Sequence, residues 1–298
     1  MAELHSEHGF ETDQVRAILR AAQRNPKLIQ AEQHSAEKTR TWPDYLSIFL
    51  DPRRISAGVQ FWAKHARSLE QASSTYEVPA EIIVAILGVE TRYGGYTGPH
   101  RVLDSLTTQG FEHPTRQAFF YRELKEFFLL CREQNWSPLE PKGSYAGALG
   151  WAQFMPSNYR RLALDFDQDG LTDLWSPVDA IGSIARYLRD FRGTGRGWQP
   201  HLPVLVSAMG SVPEDWPRNT KQPTGEYAQI SQHVTAIPGL PASARVGLLQ
   251  LEAEQHTELW LATDNFYALM SYNPRIYYAT AVYRLSRAIA DRYRQPQQ

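Results

Sequence analysis

The sequence predicts an α+β protein that is mainly α-helical, and three observations carry that prediction. Over most of the chain apolar residues recur at three- and four-residue intervals, the period of a helix with one face turned inward. Between about 197 and 262 the texture changes to short runs rich in β-branched and aromatic residues, separated by Pro, Gly and Asn clusters. Beyond 262 the helical period returns in NPRIYYATAVYRLSRAIADRYR, so the β-rich stretch reads as a small insertion in a helical protein.

The elements come in this order. TDQVRAILRAAQ from Thr12 and WPDYLSIFL from Trp42 are helical, and ISAGVQFWAKHARSLEQASSTY predicts one long helix over 55–76. Pro79 stands where a missing N–H costs little, so a new helix starts there. Its Ile82–Val89 stretch is apolar nearly all round, as in a helix buried on every side. PTRQAFFYRELKEFFLLCREQN, residues 114–135, is amphipathic; the Gly/Ala/Ser-rich KGSYAGALGWAQFMPSNY after it permits close backbone approach. Helix resumes in SPVDAIGSIARYLRDF and breaks at RGTGRGW. The β-rich runs are HLPVLVSAM, AQISQHVTAI and HTELWLAT.

Composition excludes several function classes. At 298 residues the chain suits two domains, or one large core with an insertion, and 42% hydrophobic residues suffice for a core. A formal charge of −1 lacks the basic excess that a phosphate backbone demands, so nucleic acid is not a partner. The single Cys131 excludes an internal disulfide and reads as small buried filler. No stretch approaches the ~18 consecutive apolar residues of a membrane span. The opening MAELHSEHGF is neither a signal peptide nor a carrier of a lipid-accepting Cys; the protein is cytosolic, or a leader has been replaced by a start Met. GxSxG, HExxH, phosphate-loop and CxxC patterns are missing, and the scattered His carry no assigned chemistry.

Three stretches carry candidate chemistry. In ILGVETRYG, Glu90 ends a greasy run. A carboxylate there must be paired, hydrogen-bonded or protonated. Apolar burial raises a Glu pKa into the range where it can protonate a leaving oxygen in glycoside cleavage; the rival reading is a helix-end Glu paired with Arg92. In DFDQDGLTDLWSPVD, residues 165–179, Asp165, Asp167, Asp169 and Gly170 reproduce the start of an EF-hand calcium loop. Position 12 is Ser176 rather than the usual Glu. Asp179 could close the loop, or complete a capping box with Ser176. In SYAGALGWAQFMPSNY, Ser144, Tyr145 and Gln153 are polar among small residues, and Gln153 suits either a sugar contact or a satisfied core amide. The tyrosines around Asn273 read as core, and the run Arg186, Arg189, Arg192, Arg196 as a solvated helix end.

Taken together, VETRYG, GSYAGALGWAQFMPS, DFDQDGLTDLW-SPVDAIGS and NFYALMSYN, in this order, resemble the lytic murein transglycosylase B family over roughly 40–290. The resemblance implies a lysozyme-like core with a helical domain and a small β domain. The expected division is a helical domain of 1–75 with 275–298, a core of 76–196 with 263–274 containing the EF-hand-like loop at 165–179, and a β domain of 197–262. It implies Glu90 as sole catalytic acid/base, cleaving between N-acetylmuramic acid and N-acetylglucosamine to leave a 1,6-anhydro end. Carried over, Tyr45, Arg116, Ser144, Gln153, Tyr187, Tyr272, Asn273 and Tyr278 line the substrate groove. Asp165, Asp167, Asp169, the Leu171 carbonyl and Asp179 hold one structural calcium ion. Where the family often has two adjacent Arg, this chain has Thr115-Arg116. The partners implied are peptidoglycan glycan strands and cell-wall enzyme complexes, for a monomer in the periplasm, attached to the outer membrane in a full precursor. The alternatives are a hydrolytic muramidase and a non-catalytic calcium-dependent glycan-binding module.

Overall fold

Helices occupy about half of the chain, and several of their caps are written in it. The computed structural model describes residues 2–33, 39–190 and 197–295. Three short helices come first, α1 (Ala2–His8), α2 (Thr12–Arg20) and α3 (Lys27–Gln33). Thr41 caps α4 (Trp42–Ser47) by accepting the Asp44 N–H, and Asp51 caps α5 (Pro52–Lys64) by accepting the Arg53 N–H. The single helix expected over 55–76 is in fact two, because the chain leaves helical geometry at His65 (φ −113°, ψ 24°) before α6 (Ala66–Tyr76). In α7 (Ala80–Thr91), Ile82 to Leu87 are all 3% exposed or less, so the run without a polar face is enclosed on every side.

Next come β1 (His100–Arg101), α8 (Val102–Glu112), α9 (Gln117–Glu133), β2 (Lys142–Gly143), α10 (Pro156–Leu162) and α11 (Pro177–Asp190). The β-rich region yields β3 (Leu205–Gly210), β4 (Gly225–Glu226), α12 (Tyr227–Ile230), β5 (Val234–Ile237), β6 (Arg245–Glu252) and β7 (Thr257–Thr263). The chain closes with α13 (Asp264–Tyr272) and α14 (Ile276–Arg294). AQISQHVTAI is not one β run. A capping box between Glu226 and Gln229 turns its start into α12, leaving only Val234–Ile237 to pair.

The chain divides into two compact units, residues 1–38 with 90–183 and residues 39–89 with 184–298. In the first, Gly110 of α8 lets the backbone approach Tyr121 of α9 closely. The N-terminal helices are tied to this pair: Arg132 donates to the His8 carbonyl at 2.6 Å, and Gln109 Nε2 to the Leu28 carbonyl at 3.3 Å. Cys131 is 1% exposed, and burial pushes its thiol up to about 12, so it is filler, as its surroundings in the sequence imply.

In the second unit the strands form one antiparallel sheet in the order β4-β6-β7-β3-β5. One face buries Val206, Val234, Val246, Leu248 and Leu261. β6 pairs on both sides, and its residues 246–249 are buried without a break, so that stretch lacks the alternation by which a strand is easily found. Trp62 of α5 stacks on Tyr293 of α14 at 4.3 Å. The Arg run is not simply solvated: Arg189 pairs with Glu77 at 3.0 Å and donates to the Trp198 carbonyl at 2.8 Å, and Arg186 faces Asp190 at 3.6 Å. Arg192 and Arg196 lie outside the described residues.

Candidate active site

In the first unit, Glu90 is the penultimate residue of α7 and is half-buried. The helix runs from there into an unusual turn. Arg92 (φ 52°), Tyr93 (φ 58°) and Gly94 (φ 82°) are all left-handed, a conformation that costs a side-chain-bearing residue about 1–2 kcal/mol. Such a turn persists only if its surroundings hold it. The buried Thr91 hydroxyl accepts the Gly94 N–H at 3.0 Å and donates to the Trp151 carbonyl at 3.3 Å, while the Thr91 carbonyl accepts the Tyr96 N–H at 3.0 Å. A Cβ on Gly94 would overlap the Trp151 ring, and one on Gly98 would overlap the Gly143 carbonyl. The turn after Glu90 is therefore clamped against 143–154, and the small residues in both segments are what allow it.

Ser144 and Gln153 lie in that clamp, each half-buried. Ser144 Oγ accepts the N–H groups of Ala146 and Ala148 at 3.2 and 3.0 Å, which closes a tight loop and leaves its own proton to donate. Gln153 is itself left-handed (φ 50°) and donates its amide to the carbonyls of Gly150 (2.9 Å) and Thr97 (3.2 Å). Its Oε1 is thereby fixed as the atom that can accept from a ligand. Arg116 is exposed, with its guanidinium 4.6 Å from the Phe119 ring and 5.0 Å from the Phe120 ring.

The other groove candidates belong to the second unit. Tyr45, Tyr187 and Tyr278 are each 2% exposed, whereas Tyr272 and Asn273, at the end of α13, are half-buried. Tyr187 donates to the Ser271 carbonyl at 2.6 Å and its ring lies 4.7 Å from Tyr272. Tyr45 lies 5.1 Å from Phe49 and 5.8 Å from Tyr277.

The acidic loop of the first unit is ordered by its own backbone. Asp165 accepts the N–H groups of Asp169 (3.0 Å) and Gly170 (2.9 Å), and Gly170 (φ 92°) makes the sharp turn. Asp179 is 1% exposed, and its two oxygens accept the Phe166 and Asp173 N–H groups of the loop, both at 2.7 Å. Burial holds its carboxyl above the usual range. Carboxylate oxygens of Asp165, Asp167 and Asp179 lie within 4.8 Å of one another, the spread of ligands around one calcium ion, whose Ca–O bonds of about 2.3–2.6 Å put opposite oxygens about 5 Å apart. Asp169 and Leu171 are exposed, and Asp169 accepts the Leu171 N–H at 2.8 Å, outside that cluster.

Two groups that the sequence reading did not single out matter here. Trp151 holds the turn after Glu90, and its signal was a large ring between two small residues in GWA. Glu123, 6% exposed on the apolar face of α9, accepts Ser157 N–H (2.9 Å) and O–H (2.7 Å) at the start of α10. Burial holds its carboxyl above the usual range.

Comparison with known proteins agrees with this architecture. The family described as Transglycosylase SLT domain matches residues 1–287. The chain is 37% identical to the membrane-bound lytic murein transglycosylase B of Escherichia coli (strain K12), over 96% of this chain and 80% of that protein. Among solved structures, the lytic transglycosylase SltB1 of Pseudomonas aeruginosa, in its catenated form, superposes with a TM-score of 0.91 at 39% identity, covering 98% of this chain and 96% of that one. The Escherichia coli lytic transglycosylase Slt35 in complex with calcium gives a TM-score of 0.87 at 36% identity, covering 99% and 92%. The chain is a member of the transglycosylase SLT domain family, with the lysozyme-like fold of these lytic transglycosylases.

Proposed function

We propose that this protein is a peptidoglycan lytic transglycosylase whose catalytic acid/base is Glu90. The observation that carries the assignment is the setting of that carboxyl, half-buried at the end of an apolar helix and followed by a clamped left-handed turn. In the step this supports, the protonated carboxyl gives its proton to the oxygen bridging N-acetylmuramic acid and N-acetylglucosamine as the C1–O bond breaks. The carboxylate then takes the proton of the muramyl 6-hydroxyl, whose oxygen bonds to C1 and leaves a 1,6-anhydro ring. No water is consumed, and a tethered hydroxyl has the proximity advantage over solvent. Ser144 as donor and Gln153 as acceptor suit the hydroxyl and acetamido groups of the sugar, and Arg116, Tyr45, Tyr187, Tyr272, Asn273 and Tyr278 are the further groove positions in this reading.

Asp165, Asp167 and Asp179, with Asp169 and the Leu171 carbonyl, would hold one calcium ion, as the calcium complex of Slt35 supports. The ion would supply charge neutralisation to the loop and take no part in proton transfer. Acting on murein as a monomer, alone or in cell-wall enzyme complexes, the chain would work in the periplasm.

Glu90→Gln, which cannot release or take up the proton, should lower turnover by about 10²–10⁴-fold. Mass analysis of muropeptides from digested sacculi decides the chemistry. Anhydro ends are expected; products carrying the elements of water would make the protein a hydrolytic muramidase instead.

A further inference from the structure

In the second unit a concave pocket of about 320 Å³ is lined by Arg218, Asn219, Gln250, Leu251, Glu252, Ile276 and Tyr277. It is the size of a small-ligand site. Its floor is built with care. Asn219 is left-handed (φ 55°), and its side chain pairs with both backbone groups of Gln250, Nδ2 donating to the carbonyl at 3.0 Å and Oδ1 accepting the N–H at 2.9 Å. A side chain thus takes the place of a neighbouring strand along the edge of β6, and an amide-lined recess is left beside it.

The charges sort the ligands that this recess can hold. Arg218 donates from Nη1 to the Glu214 and Trp216 carbonyls (3.0 and 2.9 Å) and from Nη2 to Pro213 and Val212 (3.1 and 3.5 Å). Its guanidinium is spent on bracing its own loop and offers little to an anion. Glu252, exposed, accepts from Gln250 Nε2 at 3.3 Å and Thr257 Oγ1 at 2.9 Å, and among the described residues it has no cationic partner. With the Arg218 donors spent on carbonyls, the Glu252 carboxylate and the Gln250 amide oxygen are the acceptors left in the lining, which suits a ligand rich in O–H and N–H donors. Tyr277 adds an aromatic face. Its ring lies 5.8 Å from Tyr45 and 5.3 Å from Trp42, so a residue of the pocket packs directly on Tyr45, one of the groove positions of the proposed function.

We propose that this pocket is a remote subsite for one sugar of the glycan strand, with Gln250, Glu252 and Tyr277 setting a preference for long chains. The inference rests on the glycan-cleaving reading above. Its test is binding rather than turnover: calorimetric titration of the Glu90→Gln protein with peptide-free N-acetylglucosamine oligomers, from dimer to octamer, and with free stem peptide. Affinity should climb with length, and adding Gln250→Ala or Glu252→Ala should cost the long oligomers about tenfold, the worth of one or two hydrogen bonds, while sparing the dimer. Neither side chain is buried, so either variant keeps the fold, as an unchanged melting temperature verifies. The subsite is refuted if the variants match the parent at every length or lose the dimer equally. It is also refuted if they lose the stem peptide instead, which would make the pocket a peptide site. If no oligomer of any length binds the parent, the functional reading itself fails, and the subsite with it.

Discussion

Two loops of the first unit reach order by opposite means. The turn after Glu90 is held by shape: three left-handed residues, and glycines so close to Trp151 and Gly143 that no side chain fits. The acidic loop at 165–179 is held by charge, with Asp165 and Asp179 each accepting two backbone N–H groups. They meet at Leu174, whose carbonyl accepts the Trp151 N–H at 2.7 Å and against which Gly150 packs without room for a Cβ. The contrast teaches that the turn after Glu90 is sensitive to volume and its support is sensitive to charge. Damage to the second should reach the first through Trp151.

The largest effect expected on the shape side is that of Gly94→Ala. The new methyl meets the Trp151 ring at a left-handed position, adding overpacking to backbone strain, on the order of 2–5 kcal/mol of stability. Chemical denaturation should show it, with activity falling further than the folded fraction does. A variant as stable as the parent would mean that the clamp is loose. On the charge side, calcium at about a hundred times its Kd should stabilise the native protein by about 2.7 kcal/mol, read as a rise in melting temperature. Asp165→Asn should remove most of that rise. Chelation that abolished turnover without lowering the melting temperature would give the ion a chemical role and erase the contrast.

Legibility in the sequence divides along the same line. The charged loop announces itself, because the carboxylate spacing in DFDQDG is local, and so do the apolar wall of α7 and the Gly/Ala texture of 143–154. The clamp was not legible. That Gly94 lies under Trp151 is a contact between positions far apart in the chain, and no period or motif encodes it. The break at His65 was hidden because the apolar spacing continues through it, and β6 because side chains buried on both faces of the sheet lose their alternation over 246–249. Glu123 looked like one more polar position on an amphipathic helix. Only the fold shows that it points at the start of α10.

Glu123 also sharpens the comparison, since it is a buried carboxylate satisfied by Ser157 N–H and O–H but set apart from the acidic cluster. Burial is the first cause of its raised pKa, with nearby Glu126 adding to it, and the bonds from Ser157 oppose the rise without cancelling it. A carboxyl whose pKa is higher folded than unfolded binds its proton more tightly in the native state. It therefore adds stability that is complete below the unfolded value of about 4.3 and is lost as pH rises through the folded value. Glu123→Gln, which keeps the shape and cannot titrate, should show a flatter stability profile across that window. Relative to the variant, the parent should gain stability on acidification, because only the parent takes up the proton that burial favours. The measurement is urea unfolding of both proteins between about pH 4 and 7. A difference that stays constant with pH would mean that Ser157 compensates the burial in full, and that neutral hydrogen bonds alone can hold a buried carboxylate.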